Sequence, residues 1–136
     1  MVEVRTLYTP GLANAALPLV SLIVAEIVDV ESRAARAAET YRRLKADPAK
    51  PQTELNEARR VLGDLLATRD ACAAELGDLG VRLGDARLGV CDFPAELDGE
   101  PVHLCWTLGE ERVEQYHPAA AGHATRRPLP VPVATG

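Results

Sequence analysis

Two stretches of the chain, separated by a proline-rich break at residues 47–51, each repeat apolar residues at intervals of three and four. This spacing places the apolar side chains on one face of an α-helix. Each stretch of roughly 28 residues predicts a helix about 42 Å long. Equal lengths and a short connection favour an antiparallel helical hairpin with a coiled-coil-like seam. The seam positions are Val20, Ile23, Ile27, Val30, Ala34, Ala37, Tyr41 and Leu44, then Leu55, Ala58, Leu62, Leu65, Arg69, Cys72, Leu76 and Leu79.

The segment before the hairpin carries a helix start and a helix interruption. Thr9-Pro10 predicts the start, because the threonine hydroxyl caps unpaired N–H groups and proline is tolerated at the first helical position. Pro18 removes one backbone hydrogen bond, so we expect a kink or a break there. Glu3 to Tyr8 alternates loosely and predicts a short strand.

A second apolar row flanks the seam, and a lone hairpin does not need it. Either the C-terminal region covers this row, or a second copy of the chain does. We expect a homodimer formed through the helical hairpin. The members of the row are Leu19, Leu22 and Ala38 on the first helix and Leu66 and Ala73 on the second.

Short strand patterns follow Gly80, which predicts the end of the second helix. Asp98-Gly99 predicts a two-residue hairpin turn. That turn places Cys91 opposite Trp106 and Asp92 opposite Cys105. One sheet face is then apolar and faces the core, whereas the other carries Asp92, His103, Cys105 and Thr107. The predicted strands are Val81–Leu83, Leu88–Phe93, Val102–Leu108 and Arg112–His117.

These elements predict a single α+β domain, a long antiparallel helical hairpin packed with a small antiparallel β-meander. Its parts are the kinked helix and hairpin at 9–80, the acidic meander at 81–117 and a Pro/Ala-rich tail at 118–136. The prolines at 128, 130 and 132 predict a tail without regular structure.

The charge distribution argues against nucleic acid as a ligand. Residues 81–117 contain three arginines and eight acidic residues, within a chain whose net charge is −5. An acidic surface repels phosphate backbones. Three cysteines without a secretory leader favour free thiols in a reducing cytoplasm. The most apolar run, Leu17 to Val30, contains two carboxylates and is shorter than the ~20 residues of a membrane span, so we expect no membrane segment.

Several short motifs resemble a bacterial family known as domain of unknown function 2203. The likeness covers nearly the whole chain outside the hairpin and implies a fold without implying an activity. The motifs are Thr9-Pro10, Ala13-Asn14, Leu17-Pro18, Asp92-Phe93-Pro94-Ala95, Asp98-Gly99, Leu104-Cys105-Trp106, Leu108-Gly109-Glu110, Tyr116-His117, Gly122 and Arg127-Pro128.

Established catalytic motifs are absent from the sequence, which contains no phosphate loop, nucleophile elbow, paired CxxC or two-histidine helical zinc motif. Ligand-type residues gather instead in the β-region. A divalent transition metal held by Asp92, Cys105, Glu110 and His117 is one interpretation. A metal-free acid–base or ligand pocket, and plain structural roles, are the others. The remaining ligand-type residues are His103, Glu111 and His123.

Three further residues are candidates for ligand binding. Trp106 alternates onto the apolar face, which favours a core position over a binding platform. Arg126 and Arg127 are suited to an anionic group or to the acidic strands of the same domain. Because helix seams are visible and catalytic motifs are not, we expect a non-catalytic interaction or regulatory module. The alternative is a small metal-binding protein or enzyme with its site on the polar face of the meander.

Overall fold

Two long helices form the first half of the chain. The computed structural model describes residues 7–130. Helix α1 spans Pro10–Ala46 and helix α2 spans Gln52–Asp78, and they pack against each other as an antiparallel hairpin. The predicted helix start is confirmed, since the backbone N–H of Leu12 donates to the Thr9 hydroxyl at 3.1 Å.

Helix α1 continues through Pro18. Of the two predicted effects of this proline, a kink or a break, the break is therefore wrong. Proline removes one hydrogen bond. The turns on both sides are nevertheless held in place by Ala13, Leu17 and Val20, which are buried in the core. Burying Leu17 and Val20 stabilises by roughly 1.5–3 kcal/mol each, which offsets the ~3 kcal/mol that an interior proline costs through the lost bond and the clash of its ring.

The helical seam is buried most deeply where it meets the sheet. Val20, Ile23 and Ile27 are buried, whereas Tyr41 and Leu44 near the hairpin loop are only partly buried. In the middle of the seam, the guanidinium of Arg69 lies 3.2 Å from the carboxylate of Glu31.

Within residues 7–130, five strands form one antiparallel sheet in the order β1-β2-β3-β4-β5. Their bounds are Arg82–Asp85, Val90–Leu97, Glu100–Thr107, Gln115–Pro118 and Arg127–Pro128. The two-residue turn between β2 and β3 is confirmed: Asp98 and Gly99 have φ of 53° and 79°. Positive φ at both turn residues suits the right-handed twist of the flanking strands. The predicted pairs are confirmed as well, with Cys91 opposite Trp106 and Asp92 opposite Cys105.

The apolar sheet face packs on the helices, as the alternation predicts. Phe93, Leu104 and Trp106 are buried in the same core cluster as Val24 and Ile27 of α1. Strand β2 extends beyond its predicted end at Phe93. It accommodates Pro94 because β1 pairs with β2 only as far as Asp92, and proline is tolerated where no neighbouring strand needs its N–H.

The described part of the predicted tail, residues 118–130, contains regular structure, so the prediction of an irregular tail is wrong there. Residues His123–Thr125 form a 3₁₀ turn, and β5 pairs with β4 through Arg127 opposite Tyr116. Strand β5 is the edge of the sheet, where the missing N–H of Pro128 costs no ladder bond. The predicted strand at Glu3 to Tyr8 lies outside the described residues except for its end, where Tyr8 makes an isolated parallel bridge to Ala95.

Helix α1 is long and apolar enough, by length and composition alone, to cross a bilayer. Its most apolar positions also form the core that α2 and the sheet cover, including Val24 and Ile27. A core helix of this kind satisfies the same length and composition criteria as a membrane span.

Candidate metal centre

The polar residues of the sheet lie on the face that points away from the helices. Residues directly opposite each other on antiparallel strands project to the same face. Arg82 lies opposite Asp92, Asp92 opposite Cys105, and His103 opposite His117. The residues that follow β4 run past this face, so the polar side chains lie between the sheet and the C-terminal segment.

Asp92 and two histidines converge at the centre of this face. His117 Nε2 lies 3.1 Å from Asp92 Oδ1, and His103 Nδ1 lies 3.7 Å from Asp92 Oδ2. The two imidazole rings meet edge to face, with centroids 5.4 Å apart. One ligand atom from each of the three residues lies within 4.8 Å of the other two.

His117 is held by its backbone surroundings, and its ring lies against Asp92. Its side chain is 3% exposed, and its Nδ1 lies 2.9 Å from the carbonyl oxygen of Pro118. A carbonyl only accepts, so Nδ1 carries a proton and donates it. In the neutral ring the lone pair is then on Nε2, the atom that faces Asp92. A second partner that fixes the tautomer in this way is typical of metal-binding histidines.

His103 is favoured in its neutral form. Burial lowers the pKa of His103, and the positive charge of Arg82 and the nearby His117 act in the same direction, while Asp92 opposes them. A metal-binding imidazole has to be neutral. The burial of His103 therefore prepares it to act as a ligand.

A cavity of about 370 Å³ opens beside the three residues. Asp92, His103 and His117 form part of its wall, and Arg82 of β1 forms another part. The remaining lining residues are Gly84, Asp85, Leu88, Val90, Ala119, Ala121, Gly122 and His123. Two buried histidines and a carboxylate beside a space of this size leave room for a bound molecule.

Comparison with protein families identifies the chain. The model of a family described as "Uncharacterized conserved protein (DUF2203)" matches residues 6–129. The chain belongs to this family. Comparisons with curated proteins and with solved structures give no match. The three converging residues and Arg82 all lie within the matched part of this DUF2203 chain.

Cys105, one of the four ligands predicted from sequence, lies outside the three-residue group in this DUF2203 chain. Its Sγ lies 2.8 Å from Nδ1 of His123. Burial, and after it the negative charge of Asp92, raise the pKa of the Cys105 thiol to about 12. The thiol is therefore protonated at neutral pH, and its contact with His123 connects the C-terminal segment to the sheet.

Glu110, the other predicted ligand outside the group, stabilises the end of β3. Its Oε1 accepts a hydrogen bond from the Thr107 N–H at 2.7 Å, and its Oε2 lies 3.4 Å from Arg126 Nη1. Of the four predicted ligands, the structure brings together Asp92 and His117. Cys105 is the cross-strand neighbour of Asp92, and Glu110 is committed to the turn after β3.

The three predicted ligand-binding residues are engaged within the DUF2203 fold. Trp106 is 2% exposed and donates from Nε1 to the Glu110 carbonyl at 3.0 Å. Arg126 Nη1 lies 3.4 Å from Glu110 Oε2, so this arginine is paired with an acidic residue of the same chain. Arg127 lies over the Tyr116 ring, 5.8 Å from its centroid.

His103 and Arg82 are the residues that the predicted set omitted. His103 was already on the predicted polar face, but placing it opposite His117 requires the register of β3 with β4. No short turn signal joins these two strands, so the sequence does not fix that register. The position of Arg82 opposite Asp92 likewise depends on a register that the sequence does not fix, the pairing of β1 with β2.

Proposed function

We propose that this DUF2203 family member is a metal-binding protein whose ion is held by Asp92, His103 and His117. The observation that carries the proposal is the convergence of one ligand atom from each residue to within 4.8 Å. Neighbouring ligands about 2.0–2.2 Å from a common ion lie roughly 2.8–3.6 Å apart in octahedral or tetrahedral arrangements. The distance of 3.1 Å between His117 Nε2 and Asp92 Oδ1 lies within this range, and the distance of 3.7 Å between His103 Nδ1 and Asp92 Oδ2 lies just above it.

The ligand types favour a divalent transition metal. Imidazole suits Zn²⁺, Fe²⁺ and Ni²⁺, and a single carboxylate adds charge compensation. Three protein ligands leave coordination positions for water or a further molecule, which is the pattern of reactive sites rather than structural ones. The adjoining cavity of about 370 Å³ supports this assignment, because the open positions have space to face.

The surroundings of the ligands support the same function. Both histidines are buried, so their rings enter the site without being free to rotate in solvent. The hydrogen bond from His117 Nδ1 to the Pro118 carbonyl fixes that ring and directs Nε2 at the site. A preorganised ligand set of this kind binds metal without the entropic cost of ordering exposed side chains.

Calorimetric titration of metal-free protein with Zn²⁺, Mn²⁺ and Fe²⁺ tests the proposal. We expect one ion per chain for at least one metal. Asp92→Asn and His117→Gln should each weaken binding about 100-fold or more, which corresponds to ~2.7 kcal/mol. His123→Gln is the matched control, because His123 lines the same cavity but lies outside the three-residue group. The metal affinity of this variant should stay within about threefold of the wild-type affinity. The proposal is contradicted if the wild-type protein binds none of the three metals, or if Asp92→Asn binds metal as tightly as wild type does.

A second candidate function, an interaction module that forms a homodimer through the hairpin, has its own support. Leu12, Leu19 and Leu22 on α1 are 56%, 52% and 71% exposed. With the exposed Ala15 between them, they follow helical spacing and form one apolar stripe. A small residue flanked by leucines makes the stripe self-complementary to a second copy in antiparallel orientation. Leu66 and Ala73, the α2 members of the predicted row, are partly buried within the chain and contribute less.

A further inference from the structure

Among the described residues, Arg82 is the one arginine in the wall of the cavity, and it has no carboxylate partner there. No carboxylate within residues 7–130 lies at ion-pair distance from its guanidinium. The carboxylate of Asp92, its cross-strand neighbour, faces the two histidines, with oxygens 3.1 Å from His117 Nε2 and 3.7 Å from His103 Nδ1. Asp85, the other acidic lining residue, accepts through Oδ1 from the backbone N–H groups of Arg87 and Leu88. The guanidinium is thus available to a molecule in the cavity.

Metal binding changes the sign of the charge in the cavity. The lining contains two carboxylates, Asp85 and Asp92, and the guanidinium of Arg82. Adding a divalent cation makes the sum positive, so the loaded cavity attracts anions, whereas the metal-free cavity does not. Arg82 and the ion lie on the same sheet face, since Arg82 is the direct neighbour of the ligand Asp92.

The rest of the lining is suited to a short apolar body. Leu88 and Val90 lie on the β1–β2 side, and Ala119 and Ala121 lie on the C-terminal segment. A volume of about 370 Å³ is at the small end of ligand pockets, which typically span roughly 300–1,000 Å³.

We propose that the metal-loaded cavity binds a small organic oxyanion, a carboxylate or a phosphate monoester with a short apolar group. One oxygen occupies an open position on the ion, and the guanidinium of Arg82 holds the remaining oxygen or oxygens. Guanidinium is suited to this role because its planar donors match the geometry of carboxylate and phosphate. The apolar group lies against Val90 and the two alanines. This inference rests on the proposed metal site.

The test uses protein loaded with Co²⁺, whose visible absorption reports changes in the ligands of the ion. Butyrate and phenyl phosphate are titrated into wild-type protein, Arg82→Gln and the control Arg87→Gln. Arg87 is an exposed arginine of the neighbouring turn and lies outside the cavity lining. We expect saturable spectral changes in wild type and control, and about tenfold or greater weakening in Arg82→Gln. Arg82→Gln should bind Co²⁺ at least as tightly as wild type, because a positive charge near the ion has been removed.

The outcomes separate this inference from the metal site on which it depends. If wild-type protein takes up Co²⁺ but Arg82→Gln binds both anions as tightly as wild type, the role of Arg82 is refuted and the metal site stands. Equal binding of butylammonium and butyrate also refutes the anion preference. If wild-type protein takes up no Co²⁺, the metal site fails first and the inference fails with it.

Discussion

His117 Nε2 lies 3.1 Å from Asp92 Oδ1, while the other nitrogen of the same ring is engaged by the Pro118 carbonyl at 2.9 Å. With Nδ1 donating to the carbonyl, a neutral ring turns its Nε2 lone pair toward a carboxylate oxygen. Two lone pairs at this separation repel each other unless a proton or a cation lies between them. A positive charge between His117 Nε2 and Asp92 Oδ1 would therefore be stabilised, and a metal ion that also binds His103 would supply this charge.

Metal binding at this position should stabilise the folded protein. A ligand that binds only the folded state at 100 times its Kd adds about 2.7 kcal/mol to the free energy of unfolding. We expect a higher urea midpoint when the preferred metal is added, and a return to the metal-free midpoint with a chelator. Asp92→Asn should show no such response. An equal shift in wild type and Asp92→Asn would locate the bound metal elsewhere.

Two glycines in different environments predict opposite effects of alanine. Gly89 has a φ of +74°, and a Cβ there would lie 2.8 Å from Leu108 Cβ and 3.0 Å from Val28 Cγ2. Gly89→Ala should therefore destabilise by about 2–4 kcal/mol, from left-handed strain and overpacking together. Gly63 lies inside α2 with no atom within 4 Å of an added Cβ. Gly63→Ala should stabilise by about 0.5–1 kcal/mol.

Urea denaturation of both alanine variants measures this contrast. The two substitutions add the same methyl group, so the difference between them reports only the backbone conformation and the space at each position. A Gly89→Ala variant as stable as wild type would mean that the β1–β2 turn does not approach α1 as closely as described.

The buried thiols predict a loss of stability in alkali. Burial, and then the charge of Asp92, raise the pKa of Cys91 and Cys105 from 9.0 to about 12. Above pH 9 the unfolded chain gives up these protons while the folded chain keeps them. The free energy of unfolding therefore falls as pH rises from 9 toward 12. Cys91→Ala should reduce the slope of stability against pH over this interval, measured by urea denaturation. An unchanged slope would mean that Cys91 is accessible to solvent.

The exposed leucines of α1 predict a dimer. Leu22 is 71% exposed, so Leu22→Glu should leave the fold of the chain intact while placing a charge in the proposed interface. We expect wild type to be dimeric by light scattering at tens of micromolar, roughly the range in which a modest interface is populated. Leu22→Glu should be monomeric. Leu88→Glu is the matched control, since Leu88 is 57% exposed but lies in the β1–β2 turn. A monomeric wild type contradicts the dimer.

The hairpin and the β2–β3 pairing follow from the sequence because local chemistry determines both. The 3-4 spacing around Ile23 and Ile27 sets the buried face of α1, and Asp98-Gly99 sets the turn type and hence the register. The continuation through Pro18 does not follow from local rules. The burial of Ala13 and Leu17 against residues distant in sequence decides it.

The candidate site could be predicted only in part for a related reason. The β2–β3 turn predicts that Asp92 lies on the polar face, whereas its histidine partners depend on the β3–β4 register. That register follows an irregular connection in which the Val113 N–H donates to Asn14 Oδ1 of α1 at 2.7 Å. The sequence predicts the observed pair of Cys105 and Asp92, but the contact of Cys105 Sγ with His123 does not follow from it, because the tail shows no strand pattern.

The measurement that tests the central claim most directly is anomalous diffraction from crystals of the protein grown with its preferred metal. We predict one strong peak per chain, with the ion about 2.0–2.2 Å from His117 Nε2, an Asp92 carboxylate oxygen and a ring nitrogen of His103. Asp92→Asn crystals grown in the same way should lack the peak. A fully occupied ion bound elsewhere, for example by Cys105 and His123, or no peak at the three residues in metal-saturated crystals, would contradict the account.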